Sequence, residues 1–149
     1  MAPLWALVVS FPLFWIFGQL GWLYFEEWQH ALRGAVAVMF LVTATGHWGR
    51  RRQDLIRMVP PALPKPDWIV TLTGWLEIAG AVFILFPVSS QAASLCLATL
   101  LVLMFPANIR AARLKLTIGG KPTPKLFVRT LLQLVFLAAV LLTNYNTAP

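Results

Sequence analysis

Charge is what this sequence has least of. Only 11% of its 149 residues are Asp, Glu, Lys or Arg, against about a quarter in an ordinary globular domain. With 59% hydrophobic residues, the chain reads as an integral membrane protein rather than a soluble one. Cysteine occurs once, as Cys96 inside an apolar run, which excludes an internal disulfide, a Cys-rich metal site and a dithiol redox pair. Histidine occurs twice. His30 and His47 fall at opposite ends of one predicted helix, about 25 Å apart by helical rise. With no His-x-x-x-His spacing and no carboxylate cluster, no metal site is expected, and a single His47 is weak ground for haem. Nucleophilic triads are missing, and the Gly-Gly pair at 119–120 lacks the Lys-Ser/Thr that a phosphate loop needs. There is no internal repeat, no low-complexity tail and no polar stretch long enough for a separate domain, so residues 1–149 form one membrane unit.

What is present is apolar sequence in runs long enough to cross a bilayer. Five spans are predicted: Leu4–Phe25, Leu32–Trp48, Trp68–Pro87, Ala92–Pro106 and Leu126–Tyr145. The second and fourth are short and are expected to extend into flanking sequence, with Arg33 and Asn108 near the interfaces. Periodicity is helical or unpatterned, not alternating, so the fold class is an all-α polytopic membrane bundle and not a β-barrel. The first run lacks a basic leader and ends in "YFEEWQH", so it reads as a retained helix and not a signal peptide. Its "GQLG" segment suits close helix packing.

The bases are distributed unevenly. Arg50, Arg51, Arg52, Arg57, Lys65, Arg110, Arg113, Lys115, Lys121, Lys125 and Arg129 fall on one side of a five-span layout, and Arg33 alone on the other. That asymmetry predicts the N-terminus inside and the C-terminus outside. A net charge of +7 would suggest nucleic acid on a soluble face; in short loops it sets topology and meets anionic lipid, so no nucleic-acid partner is expected. Trp22, Trp28, Trp48 and Trp68 fall near predicted helix ends, as an interfacial belt requires, while Trp75 lies two turns inside its helix. The proline-rich "VPPALPKPD" reads as an extended connector, and "TIGGKPTPK" as the stop of a helix extension reaching about Ile118.

Four segments in this order resemble one family. "GHW" at a helix end, then "MVPPALPKP", then "TGWLEIAGAVFILFP", then "MFPANIRAA" are similar to the DoxX-like small bacterial membrane proteins. The resemblance covers Arg33 to Asn144. It implies a four-helix core over residues 31–145, with residues 1–30 as an extra N-terminal helix. It also implies an association with quinone- or redox-linked chemistry, in which a quinone is the candidate cofactor. Relatives that work through cysteines are poor guides, because Cys96 stands alone.

The candidate site centres on Glu77. It sits about ten residues into its helix, roughly 15 Å from the helix start. Thr73, Gly74, Gly80 and Ala81 share its face, and small residues admit a neighbouring helix, so Glu77 is expected to face the interior. Desolvation there favours the neutral carboxyl unless a cation or water reaches it. His47 ends the preceding helix, either as a cap on the helix dipole or as a proton-exchanging group beside a ligand. Trp75 and Thr73 are expected near Glu77, and Asn108 at the same mouth, satisfying carbonyls freed by Pro106 or binding a ligand. Gln19 and Gln133 are candidate ties between helices. An apolar ring bearing carbonyls is the ligand such a set would take. Three functions follow: a ligand-binding accessory subunit near quinone chemistry, a non-catalytic anchor that assembles with a protein partner or a second copy, and a proton-coupled solute carrier. The carrier is the weakest, for want of a second half-repeat.

Overall fold

The computed structural model describes residues 1–145. It is built of helices. They are α1 (Ala2–Gln19), α2 (Trp28–Ala44), α3 (Arg52–Met58), α4 (Pro66–Phe83), α5 (Pro87–Arg113) and α6 (Leu126–Leu142), with a small hairpin of β1 (Thr117–Ile118) and β2 (Lys121–Pro122). Prolines start three of them, since a first-turn residue has no use for its N–H.

Four helices close into a ring: α2 packs on α4, α4 on α5, α5 on α6, and α6 returns to α2. Helix α1 lies outside the ring, against α2. The core between the ring helices is Val36, Met39, Phe40, Ile84, Leu97 and Val140, all at most 2% exposed. In α4 the buried positions are Val70, Gly74, Glu77, Gly80 and Ala81, a stripe at helical spacing. Leu72, Leu76 and Phe83 on the other faces are exposed. A Cβ on Gly80 would lie 2.4 Å from Leu97 Cδ2, so only glycine lets α4 and α5 meet there. The inward turn of this stripe is as the sequence predicts.

Helices α1 and α5 are each long and apolar enough to cross a membrane, and α6 is a shorter apolar helix. The outer surface is correspondingly apolar: Trp5, Leu72, Leu103 and Phe127 are between 59% and 77% exposed. A water-soluble fold rarely presents so much apolar surface.

The structure adds a short helix, corrects the end of another and shows where one arginine points. The loop between the second and third predicted spans contains α3, ahead of the proline-rich connector, and its Asp54 carboxylate accepts the Gly119 N–H at 2.9 Å and so ties the helix to the hairpin. Helix α5 ends at Arg113 and not near Ile118, because the chain reverses at Lys115 (φ 49°) and then turns through Gly119 and Gly120, both at positive φ. Arg33, expected near an interface, lies toward one end of the bundle with its side chain turned inward. It is 2% exposed, its Nε donates to the Thr143 carbonyl at 3.2 Å, and its Nη2 donates to Asn144 Oδ1 at 3.0 Å.

Candidate functional site: a buried carboxyl–imidazole pair

Helix α2 gives way at Ala44 to a 3-10 turn over Thr45–His47, which swings His47 across to α4. The imidazole does not cap its own helix. Its Nδ1 donates to the Val70 carbonyl at 2.6 Å, an acceptor on α4 that Thr73 shares through its own hydroxyl at 3.1 Å. Nδ1 therefore carries a proton, since a carbonyl can only accept. The other nitrogen, Nε2, stands 3.5 Å from Glu77 Oε2. Both residues are 3% exposed. The approach needs Gly74: a Cβ there would lie 2.8 Å from both His47 Cγ and Trp48 Cη2.

Two more groups fix the pair. The Thr43 hydroxyl lies 2.8 Å from Glu77 Oε2 and also 2.8 Å from the Phe40 carbonyl, its alternative acceptor. Arg52, at the start of α3, donates through Nη1 to the His47 carbonyl at 2.9 Å and through Nη2 to Thr71 Oγ1 at 3.0 Å. The guanidinium thus staples the 3-10 turn to α4 without entering the buried site. Thr73 Oγ1 is 3.4 Å from His47 Nδ1, at the edge of the cluster.

With Nδ1 committed, the chemistry of the pair is narrow. One proton between Nε2 and Oε2 gives either imidazolium–carboxylate or imidazole–carboxylic acid, both of zero net charge. A second proton leaves a buried cation, and its loss leaves a lone pair facing a carboxylate. Zero net charge is the state a desolvated site tolerates best.

The structure brings Glu77, His47 and Thr73 together and separates the other two candidates from them. Trp75 points out of the bundle at 59% exposure, where it makes an edge-on contact with Trp48 at 5.4 Å between ring centres. The reason is angular: two residues along a helix turn the side chain about 200° from Glu77. Asn108 faces α6, and its Oδ1 accepts from Arg129 Nη1 at 2.6 Å. Gln133 does tie two helices, donating to the Leu101 carbonyl, whereas Gln19 is exposed. Thr43 and Arg52 are the neighbours that sequence reasoning passed over. Thr43 lies one helical turn before His47 on α2, and that spacing was the available signal.

A second polar node lies at the opposite end of the bundle. Arg33, Ser90, Ser94 and Thr143 are all at most 3% exposed, and Asn144 Nδ2 donates to Ser94 Oγ at 2.8 Å and to the Ser90 carbonyl at 3.2 Å. This node clasps α2, α5 and the end of α6. Val36, Met39, Phe40 and Ile84 lie between the two nodes as a dry plug.

Residues 36–143 match the model of a family described as a domain of unknown function, DUF8561. The chain belongs to this family. The DUF8561 region runs from within α2 to the end of α6, so it contains the whole Glu77–His47 site and leaves α1 outside. No curated protein and no solved structure matches the chain.

Proposed function

We propose that this DUF8561 protein is a five-span bacterial inner-membrane subunit, N-terminus in and C-terminus out, with a DoxX-like four-helix core. In this reading it serves quinone- or redox-linked chemistry by holding one proton at the polar head of a ring-shaped, membrane-borne ligand. One observation carries the reading: a carboxyl and an imidazole, 3.5 Å apart and both 3% exposed, with the imidazole's other nitrogen already committed to the Val70 carbonyl. An ionisable pair in the apolar interior of a bundle is a functional hypothesis by default. A row of rings leads to it from outside. His47 is 6.0 Å from Trp48, and Trp48 is 5.4 Å from the exposed Trp75, so a quinone ring arriving from the bilayer meets aromatic surface before it meets the proton. The dry plug beyond the pair favours proton exchange with one side, which weighs against a carrier.

The test is a short-chain ubiquinone titrated against the protein in lipid nanodiscs, followed by tryptophan fluorescence. Quenching is expected, with Trp75→Leu weakening it and Glu77→Gln lowering affinity by about tenfold, the loss of one hydrogen bond to a charged or proton-sharing group. A helical, folded protein that shows no quenching overturns the quinone reading.

A second reading has its own observation. Glu77 and His47 line neither the cavity beside Leu95 and Leu137 nor the one beside Lys115 and Lys125, and both His47 nitrogens and Glu77 Oε2 have partners within the bundle. A buried pair engaged on both sides, by Thr43 on one and Val70 on the other, suits a structural tie in a non-catalytic anchor. A stoichiometric protein partner on mild solubilisation, with full assembly retained in Glu77→Gln, is the result expected of an anchor.

A further inference from the structure

Helix α5 is closed by a residue that ill suits the task. Lys115 sits at φ 49°, a left-handed conformation that glycine takes at no cost and a residue with a Cβ does not. The N–H groups of Lys115 and Leu116 turn back to the carbonyls of Ala112 and Ala111. The chain then makes the β1–β2 hairpin, and Thr123 returns to the helix end, its N–H on the Leu116 carbonyl at 3.0 Å and its hydroxyl on the Ala111 carbonyl at 3.3 Å. Pro124 leads into α6, whose N-cap is Lys125. These turns border an open cleft of about 390 Å³, lined by Ala112, Lys115, Thr123, Pro124, Lys125 and Leu126 among others.

Lys115 and Lys125 are the charged residues of that lining, and none of the chain's five acids is part of it. Asp54 is occupied by Gly119 and lies 3.9 Å from Arg57, and Glu77 is held by His47. Arg129, four residues past Lys125 and on the same face of α6, adds positive charge. It bonds Asn108 through Nη1, while its Nε is buried without a partner. Just beyond the cleft the surface turns apolar, with Leu114 at 53% and Phe127 at 77% exposure. Two cations and an adjoining apolar surface are the complement of a phosphate that carries an acyl chain.

We propose that this cleft is a binding site for a phosphate anion, gripped by Lys115 and Lys125, with the strained backbone at Lys115 holding its side chain to that task. The site is separate from the Glu77–His47 pair and stands or falls independently of it. The phosphate could belong to an anionic phospholipid or be free in solution, and the two sources are separable. Full-length protein is placed in nanodiscs of phosphatidylcholine, with and without phosphatidylglycerol, and retained lipid is counted by native mass spectrometry. Inorganic phosphate is titrated calorimetrically against the phosphatidylcholine sample.

The wild type is expected to retain phosphatidylglycerol selectively. Affinity should fall about fivefold for Lys115→Gln or Lys125→Gln and roughly twenty-fivefold for the double variant, at about 1 kcal/mol per lysine. Lys121→Gln, on the hairpin outside the cleft lining, should leave retention unchanged. Calorimetric binding of inorganic phosphate that the double variant loses, with no lipid selectivity, would assign the site to the free anion. Lys115→Gly separates charge from scaffold: it relieves the left-handed backbone, so the thermal midpoint should hold or rise while binding falls. If Lys115→Gly or the double variant binds both probes like the wild type, or the wild type binds neither, the proposal is overturned.

Discussion

Because His47 spends its Nδ1 proton on the Val70 carbonyl, Glu77 and Nε2 must settle a single proton between them. Glu77→Gln keeps the shape and can still accept from Thr43 or donate to Nε2, but it cannot share a proton. Its folding stability should stay within about 1 kcal/mol of the wild type in a denaturant titration, the net worth of one such bond. Glu77→Leu strands Nε2 in an apolar interior and should cost about 1–3 kcal/mol, the range for a buried polar group left unpaired. If Leu is no worse than Gln, the carboxyl contributes no needed bond to the fold. Thr43 is better insured, because its hydroxyl can fall back on the Phe40 carbonyl at 2.8 Å.

Helices approach closely in this bundle where glycine removes a side chain. On α4 that happens twice, at Gly74 beneath His47 and at Gly80 against Leu97. Gly80→Leu should therefore destabilise the bundle by about 1–3 kcal/mol or more through overpacking, measured by thermal unfolding in detergent. Leu72→Ala, on a face 59% exposed, should cost less. An equal cost at the two positions would mean that the α4–α5 contact does not set the fold. At the far end, Arg33→Met removes both donors that hold α2 to Thr143 and Asn144. About 1–3 kcal/mol should be lost there for the stranded acceptors, with loosening of the C-terminal end of α6 seen as faster amide exchange.

For the whole molecule the proposed five-span reading turns on which way the ring of helices would sit in a bilayer. Eleven of the twelve basic residues gather at the end where α2 and α5 finish and α4 and α6 begin, and Arg33, at the other end, is buried in a clasp. A cysteine at position 2 or position 148 in a Cys96→Ser background tests the orientation; position 148 lies outside the described residues. Impermeant labelling of spheroplasts should modify the C-terminal site alone. Modification of both sites from one side would mean an even number of crossings and remove the five-span layout.

Composition and pattern were enough to read an apolar, helical chain, the asymmetry of its bases and the inward face of Glu77. Those properties are one-dimensional: the count of charges, the length of apolar runs and a 3.6-residue period along one helix. The proton-sharing geometry was not, because it depends on a 3-10 turn and a carbonyl 23 residues away in sequence, which together fix the tautomer of His47. Asn108 and Trp75 show the same limit from the other side. Trp75 was placed near Glu77 and Asn108 at the level of His47, both by depth, yet depth leaves the azimuth free, and neighbouring helices turned Asn108 toward Arg129 and Trp75 toward Trp48. The partners of Arg33 were illegible for a related reason: Thr143 and Asn144 are more than a hundred residues away, and only the closing of α6 onto α2 brings them to the guanidinium. The local pattern determined which residues face inward; which of them meet was decided by how the ring of helices closed.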